Sequence, residues 1–229
     1  MDLNFTAVVL SGLAWTITYI ALVYRGFRDR SYGMPLVALA LNFTWEIVYS
    51  QIYPPSSIKL VGTIINTVWM LCDAGIVATF FLYGYKYFER HYGISRAEFY
   101  VFTFLAFLAS FGVMILGAPF FKDFLPYFGG DPFESGKFIA FIQNAAMSVL
   151  FVAMFYQRRS IEGQSFTIAW AKWLGTSMTV GLSYLGIEHR DNWRFVGVFV
   201  AVCFVFDLWY MVLIYRQLRR EGINPWTRL

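Results

Sequence analysis

Phe195-Val-Gly-Val-Phe-Val-Ala-Val-Cys203-Phe-Val-Phe-Asp207-Leu-Trp209-Tyr210-Met-Val-Leu-Ile-Tyr215-Arg216 carries one acidic or basic side chain between its ends, Asp207, and stops at an arginine. As a helix it covers the ~30 Å hydrocarbon core of a bilayer. No soluble domain of 229 residues easily hides several runs of this kind. The chain as a whole is 59% hydrophobic and only 14% charged, so lipid is its natural solvent.

Six more runs are long enough to span, which predicts an all-α bundle of seven transmembrane helices. The expected spans are about 5–24, 33–52, 59–84, 98–118, 136–157, 166–186 and 195–216, in one membrane domain over 1–229. The amino-terminal run has no basic leader or small-residue cleavage site and is read as retained. Arg25, Arg28, Arg30, Lys86, Arg90, Arg96, Arg158, Arg159, Arg216, Arg219, Arg220 and Arg228 fall on one side of this layout. Lys59, Lys122, Lys137, Arg190 and Arg194 fall on the other. The richer side is cytosolic, which puts the amino terminus outside and the carboxyl terminus in the cytosol.

The net charge of +4 is accounted for by this topology, and no nucleic-acid partner is implied. Cys72 and Cys203 lie inside apolar runs and read as small core residues. The seven prolines fall in loops or at helix ends, so the helices are expected to be continuous, which counts against a transporter with broken helices. Between Ala118 and Gly136 the outer loop holds Phe120, Phe121, Phe124, Tyr127 and Phe128. It fits a lid over the bundle or a segment lying in the headgroup layer. Lys172, in run six, is expected to snorkel to the cytosolic interface.

Ionisable groups in hydrocarbon are costly and mark candidate functional sites. Three acids qualify: Glu46, Asp73 and Asp207. Each has polar and aromatic neighbours at helical spacing, and these form the candidate substrate-binding set. Asn42 and Tyr49 share a face with Glu46, beside Trp45; Asn66 and Trp69 precede Asp73 by two turns and one; Tyr210 follows Asp207, with Trp209 adjacent. A buried carboxylic acid can stay protonated at neutral pH and act as a donor, and aromatic faces stabilise a carbocation. Aromatics make up 21% of the chain, more than an interfacial belt requires. Acid, aromatic lining and apolar cavity together are what protonation-initiated polyene cyclisation needs. The same groups as hydrogen-bonded glue between helices, or around a lipid, are the plainer alternative.

Other chemistries lack their residues. There is no Asp-Asp-x-x-Asp run for magnesium and a diphosphate, His91 and His189 are expected in loops, and run seven has no lysine for a retinal Schiff base. No metal site or cofactor is expected.

In Asn42-Phe-Thr-Trp45-Glu46-Ile-Val-Tyr49, followed by Ile52-Tyr53-Pro54, the chain resembles the integral-membrane terpene cyclases of meroterpenoid and indole-terpenoid biosynthesis, such as the paspaline-type cyclases. Trp69-Met-Leu-Cys-Asp73, Trp170-Ala-Lys-Trp-Leu-Gly-Thr176 and Asp207-Leu-Trp-Tyr210 support the match in the same order. The resemblance implies a metal-independent cyclase in which Glu46 and Asp207 are the catalytic acids. One of them protonates an alkene or epoxide of an apolar prenylated aromatic substrate, with a farnesyl chain the expected length. Asp73 matches as well. Compared with fungal members the chain has little polar sequence before its first helix, which suits a bacterial member acting on prenylated indoles. Localisation follows as the plasma membrane in a bacterium or the endoplasmic reticulum in a fungus. The alternative function is a proton-coupled small-solute transporter or a lipid-binding membrane protein; a receptor-like sensor is a third, disfavoured by the short cytosolic loops.

Overall fold

The computed structural model describes residues 3–55, 59–124, 128–181 and 194–229. Every described element is helical, and seven α-helices follow one another: α1 (Leu3–Asp29), α2 (Leu36–Ile47), α3 (Lys59–Tyr92), α4 (Arg96–Lys122), α5 (Pro132–Arg158), α6 (Phe166–Trp173) and α7 (Arg194–Arg220). Five of them, α1, α3, α4, α5 and α7, are long and apolar enough to cross a membrane. Their outward faces are greasy. On α4 alone, Phe102, Phe104, Leu105, Leu108 and Leu116 are exposed, a patch that water would not tolerate. The protein is an integral membrane protein.

Helix ends mostly run a few residues past the expected spans, because hydropathy ends where charge begins while the backbone bonds continue. α3 reaches Tyr92, so His91 sits on its last turn, stacked on Tyr87 at 3.9 Å, rather than in a loop. The end of the 166–186 run, Arg190 and His189 lie outside the described residues, as does Tyr127.

Two helices are not continuous, against expectation. α2 passes into a π-helical turn, π1 (Val48–Ile52), and α6 into a longer one, π2 (Leu174–Gly181). In π1 the Tyr53 amide bonds the Val48 carbonyl at 2.8 Å, one residue wider than an α turn. A wide turn contains no proline, so proline placement could not reveal it. Helix continuity therefore does not count against transport in this protein. Such turns recur at functional sites, where they re-aim side chains.

The chain divides into two compact units. The central unit is Met34–Gln143 and the terminal unit is Met1–Gly33 with Asn144–Leu229. In the central unit α2 packs against α3 and α4. Trp45 Nε1 donates to the Gly136 carbonyl at 2.9 Å, and the Ser135 hydroxyl donates to the Ala118 carbonyl at 3.0 Å. A side chain at Gly136 would collide with the Tyr49 ring. Gly136→Val is therefore expected to destabilise this unit by roughly 1–3 kcal/mol through overpacking. Gly112 on α4 faces open space. Gly112→Ala should leave the thermal midpoint unchanged or raised, and equal midpoints for the two variants would refute this packing. The loop between α4 and α5 is shorter than the expected spans allow, because α4 runs to Lys122 and α5 starts at Pro132. Phe121, Phe128 and Phe138 meet edge-on or tilted with ring centroids 5.5–6.4 Å apart, so the described part of the loop packs on its own flanking helices.

In the terminal unit α6 and π2 pack against α1 and α7. α1 and α5 each end in a left-handed arginine, Arg30 (φ 50) and Arg159 (φ 48). Asp29 gathers the following segments: it accepts from the Gly163 amide at 2.9 Å and from Arg228 at 2.8 Å, and it pairs with Arg25. Gly163 (φ +72) has no room for a Cβ, which would meet the Tyr32 carbonyl oxygen at 2.9 Å. The Gln164 amide donates to the Gly33 carbonyl, and its Oε1 accepts from the Tyr210 hydroxyl at 2.5 Å. Ser165 then caps α6, accepting from the Ile168 amide at 3.2 Å. These bonds set the rotation of α6 about its axis, and hence the direction of Lys172.

Candidate active site

α2 starts directly after Pro35, whose φ of −57° is already that of a helix entry. Asn42 and Glu46 follow at i, i+4 on the buried face, and Glu46 is only 2% exposed. α3 presents Asn66, Asp73, Ile76 and Phe80 inward at spacings of seven, three and four residues, a single helical stripe. Asp73, fully buried at 0% exposure, meets α2 there. Asn42 Nδ2 donates to Asp73 Oδ2 at 2.6 Å, and Gln143 Nε2 donates to Asn42 Oδ1 at 3.4 Å. Asp73 Oδ1 is buried without a hydrogen bond among the described residues. Asn66 Nδ2 donates to the Tyr49 carbonyl at 3.4 Å, inside π1.

One turn beyond Glu46 stands an aromatic wall. The Trp45 and Tyr49 rings lie 5.0 Å apart, and Phe133 meets them at 6.4 and 6.3 Å. The Tyr49 hydroxyl is buried and unbonded among the described residues. Trp69 is half-buried on α3. The central unit thus brings together Asn42, Trp45, Glu46, Tyr49, Asn66 and Asp73 through α2, π1 and α3.

In the terminal unit, α7 buries Val196, Val200, Cys203, Asp207, Tyr210, Ile214 and Leu218, each three or four residues from the last. Asp207 is central in that stripe. It is thirteen residues from Arg194 (207 − 194) and thirteen from Arg220 (220 − 207), about 20 Å from either helix end. It is 1% exposed. Tyr210 packs edge-on to Phe151 at 5.2 Å while its hydroxyl is committed to Gln164. Trp209 is elsewhere: two residues on means a rotation of ~200° from Asp207, and the indole is 45% exposed, against Tyr156 and Phe206. The periodicity of α7 alone separates it from Tyr210.

Lys172 departs from expectation. It does not snorkel: it is 1% exposed, with Nζ 2.6 Å from Asp207 Oδ1 and 2.8 Å from the Ser148 hydroxyl. Along α6 and into π2, Phe166, Ala169, Lys172 and Thr176 recur at three- and four-residue spacing and are all buried, so the face that carries the ammonium opens inward. A lysine in an apolar run needs a counter-charge, and that signal was legible; its partner, 35 residues on, was not. In the same unit, Asp207 Oδ2, Thr176 Oγ1, Ser177 Oγ and Trp173 Nε1 are buried without hydrogen bonds among the described residues. Unsatisfied buried polar atoms are rare in folded chains and concentrate where function requires them. Among the described residues no cluster of three or more His, Cys, Asp or Glu is placed to hold a metal ion.

The features so far define an all-helical membrane protein with buried carboxylates on apolar helices beside aromatic walls. The family model of the Pyr4-like transmembrane terpene cyclases matches residues 2–221. The chain belongs to that family, whose members are enzymes that cyclise terpenoids. It is 28% identical over 169 residues to the Pyr4-family terpene cyclase mfmH of Annulohypoxylon moriforme, covering 74% of this chain and 65% of that one. Terpene cyclase pyr4 of Aspergillus fumigatus is 25% identical over 223 residues, covering 94% and 87%. Terpene cyclase macJ of Penicillium terrestre is 30% identical over 187 residues, covering 76% and 62%. The aligned part thus spans slightly under two thirds of two of these relatives. No solved structure matches the chain.

Proposed function

We propose that this protein closes rings in a linear prenyl chain, farnesyl in length, carried by an aromatic or indole-type substrate, with Glu46 and Asp207 as its two proton-handling groups. The observation that carries this reading is the burial of both carboxylates on apolar helices, in a chain of the terpene cyclase family. Asn42, Trp45, Tyr49, Asn66, Trp69, Asp73 and Tyr210 are assigned to binding and shaping of the substrate.

The chemistry is an isomerisation. A carboxylic O–H breaks. Its proton either takes the π pair of a terminal alkene to form a C–H bond, or forms an O–H bond with an epoxide oxygen as a ring C–O bond breaks towards that oxygen. A cationic carbon is left in either case. The π electrons of successive double bonds then form the rings. Finally a C–H bond next to the last cationic carbon breaks, its electrons form a double bond, and a base takes the proton. Aromatic faces such as Trp45 and Tyr49 stabilise the passing cation, and exclusion of water keeps it from being quenched.

The test is to incubate membranes containing the protein with linear farnesylated aromatic substrates, epoxidised and not, with and without EDTA. Cyclised product that survives chelation is the expected result. Loss of product on chelation, restored by magnesium, would move the mechanism to ionisation of a leaving group. No product from any substrate would refute the activity.

Seven membrane crossings with the amino terminus outside complete the proposal, supported by the basic asymmetry of the loops. Reporters fused after Leu229 should read cytosol, and reporters between Ala118 and Gly136 should read outside. The reverse pattern overturns the orientation. The membrane is proposed to be the plasma membrane of a bacterium or the endoplasmic reticulum of a fungus.

A further inference from the structure

We infer that Asp207 works as a carboxylate locked in place by Lys172, handling positive charge late in the reaction and not supplying the initiating proton. This rests on the cyclase reading above and assigns its two ends.

An acid that starts the reaction must hold an O–H bond. Asp207 Oδ1 instead accepts from the Lys172 ammonium at 2.6 Å, where both side chains are all but fully buried. Lys172 is itself held: the Ser148 hydroxyl takes a second ammonium hydrogen at 2.8 Å, and the ring centroid of Phe151 lies 5.6 Å from Nζ. Of the two Asp207 oxygens, the ammonium is therefore bonded to Oδ1 alone. Asp207 Oδ2 is buried with no hydrogen bond among the described residues. An anionic oxygen left so is costly unless a ligand completes it. The species that completes it is a cationic carbon, or the C–H bond beside one. When that C–H bond breaks, its electron pair becomes the new double bond and the proton passes to Oδ2. That proton balances the one delivered at the start, so no oxidant, reductant or other co-reactant is required. The initiating proton is left to Glu46. Lys172 touches no reacting atom in this scheme; it is a positioning residue that keeps Asp207 ionised and its free oxygen aimed.

The test turns on a difference in sign. Lys172→Met removes the ammonium and keeps an apolar chain of similar length. If Asp207 must be anionic, kcat should fall by about 100-fold or more, the range seen when one electrostatic partner is deleted, with KM little changed. If Asp207 were the donor, the ammonium would not be needed to keep a carboxylate in place, and turnover would hold or rise, which overturns the inference. The double variant Lys172→Met/Asp207→Asn carries no orphan charge and should regain the folded yield of wild type without regaining turnover. Recovered turnover would make the pair merely structural. A spectrum decides the ionisation without any activity. The infrared difference between wild type and the double variant in lipid should show a lost carboxylate band. A lost carboxylic-acid carbonyl band instead overturns the assignment. That result stands even if Lys172→Met fails to fold. It also stands if wild type yields no cyclised product, an outcome that would sink the cyclase reading alone.

Discussion

Glu46→Gln is expected to abolish cyclised product, lowering turnover by about 1,000-fold or more while folded yield stays near wild type. General acid catalysis by a positioned side chain contributes typically 10²–10⁴-fold, and initiation of a polyene cascade has no substitute for the proton. Glutamine preserves the size of the side chain and can donate and accept hydrogen bonds, but it cannot deliver a proton to carbon. Because Glu46 is buried on α2, the amide also avoids bringing a charge into an apolar setting. Asp73→Asn is the internal comparison. Asn42 already donates to Asp73 Oδ2, and the carbonyl of an asparagine could accept that bond equally, so this variant should stay within about tenfold of wild type on the same scale. If Glu46→Gln turned over like wild type at equal expression, Glu46 would not be the proton source and the proposed mechanism would be abandoned.

Asp207→Asn is expected to fail twice, in activity and in stability. Turnover should drop about 100- to 1,000-fold through loss of the charge that meets the cation. Stability should drop by about 3–5 kcal/mol, because removing one partner of a buried ion pair leaves the other uncompensated. Here the orphan is Lys172, 1% exposed and paired with no other anion among the described residues. The two losses separate experimentally. A lowered thermal midpoint with normal turnover at low temperature would mean that the pair only holds α6 to α7. The combination of a lowered midpoint and lost turnover at every temperature is the expected outcome. Glu46→Gln, by contrast, should leave the midpoint nearly unchanged, so the two acids differ in stability even where they agree in activity.

Much of this was legible one residue at a time. The apolar runs, the inward stripe of α7 with Asp207 at its centre, and the common face of Asn42, Glu46 and Tyr49 all follow from hydropathy and a period of 3.6. Those signals are local, since each residue reports its own preference for lipid or interior. The outward direction of Trp209 is legible in the same way, since two residues along a helix turn it ~200° from Asp207. The family could be recognised because Trp45-Glu46, Trp69 to Asp73 and Asp207 to Tyr210 keep their order along the chain.

What only the tertiary structure decided is which polar group meets which. Asn42 finds Asp73 across 31 residues, and Lys172 finds Asp207 across 35. Such pairings depend on the rotation and register of whole helices. In the terminal unit these are set by distant devices: the close approach of Gly33 to Gly163, Gln164 reaching Tyr210, and Asp29 gathering Gly163 and Arg228. The π turns belong to the same class, because they arise from packing and leave no proline to announce them. Hydropathy states that a lysine in an apolar helix must either reach water or find an anion. Only the packed structure selects between them, since the cost of burying the ammonium is offset solely where another helix presents a carboxylate within bonding distance.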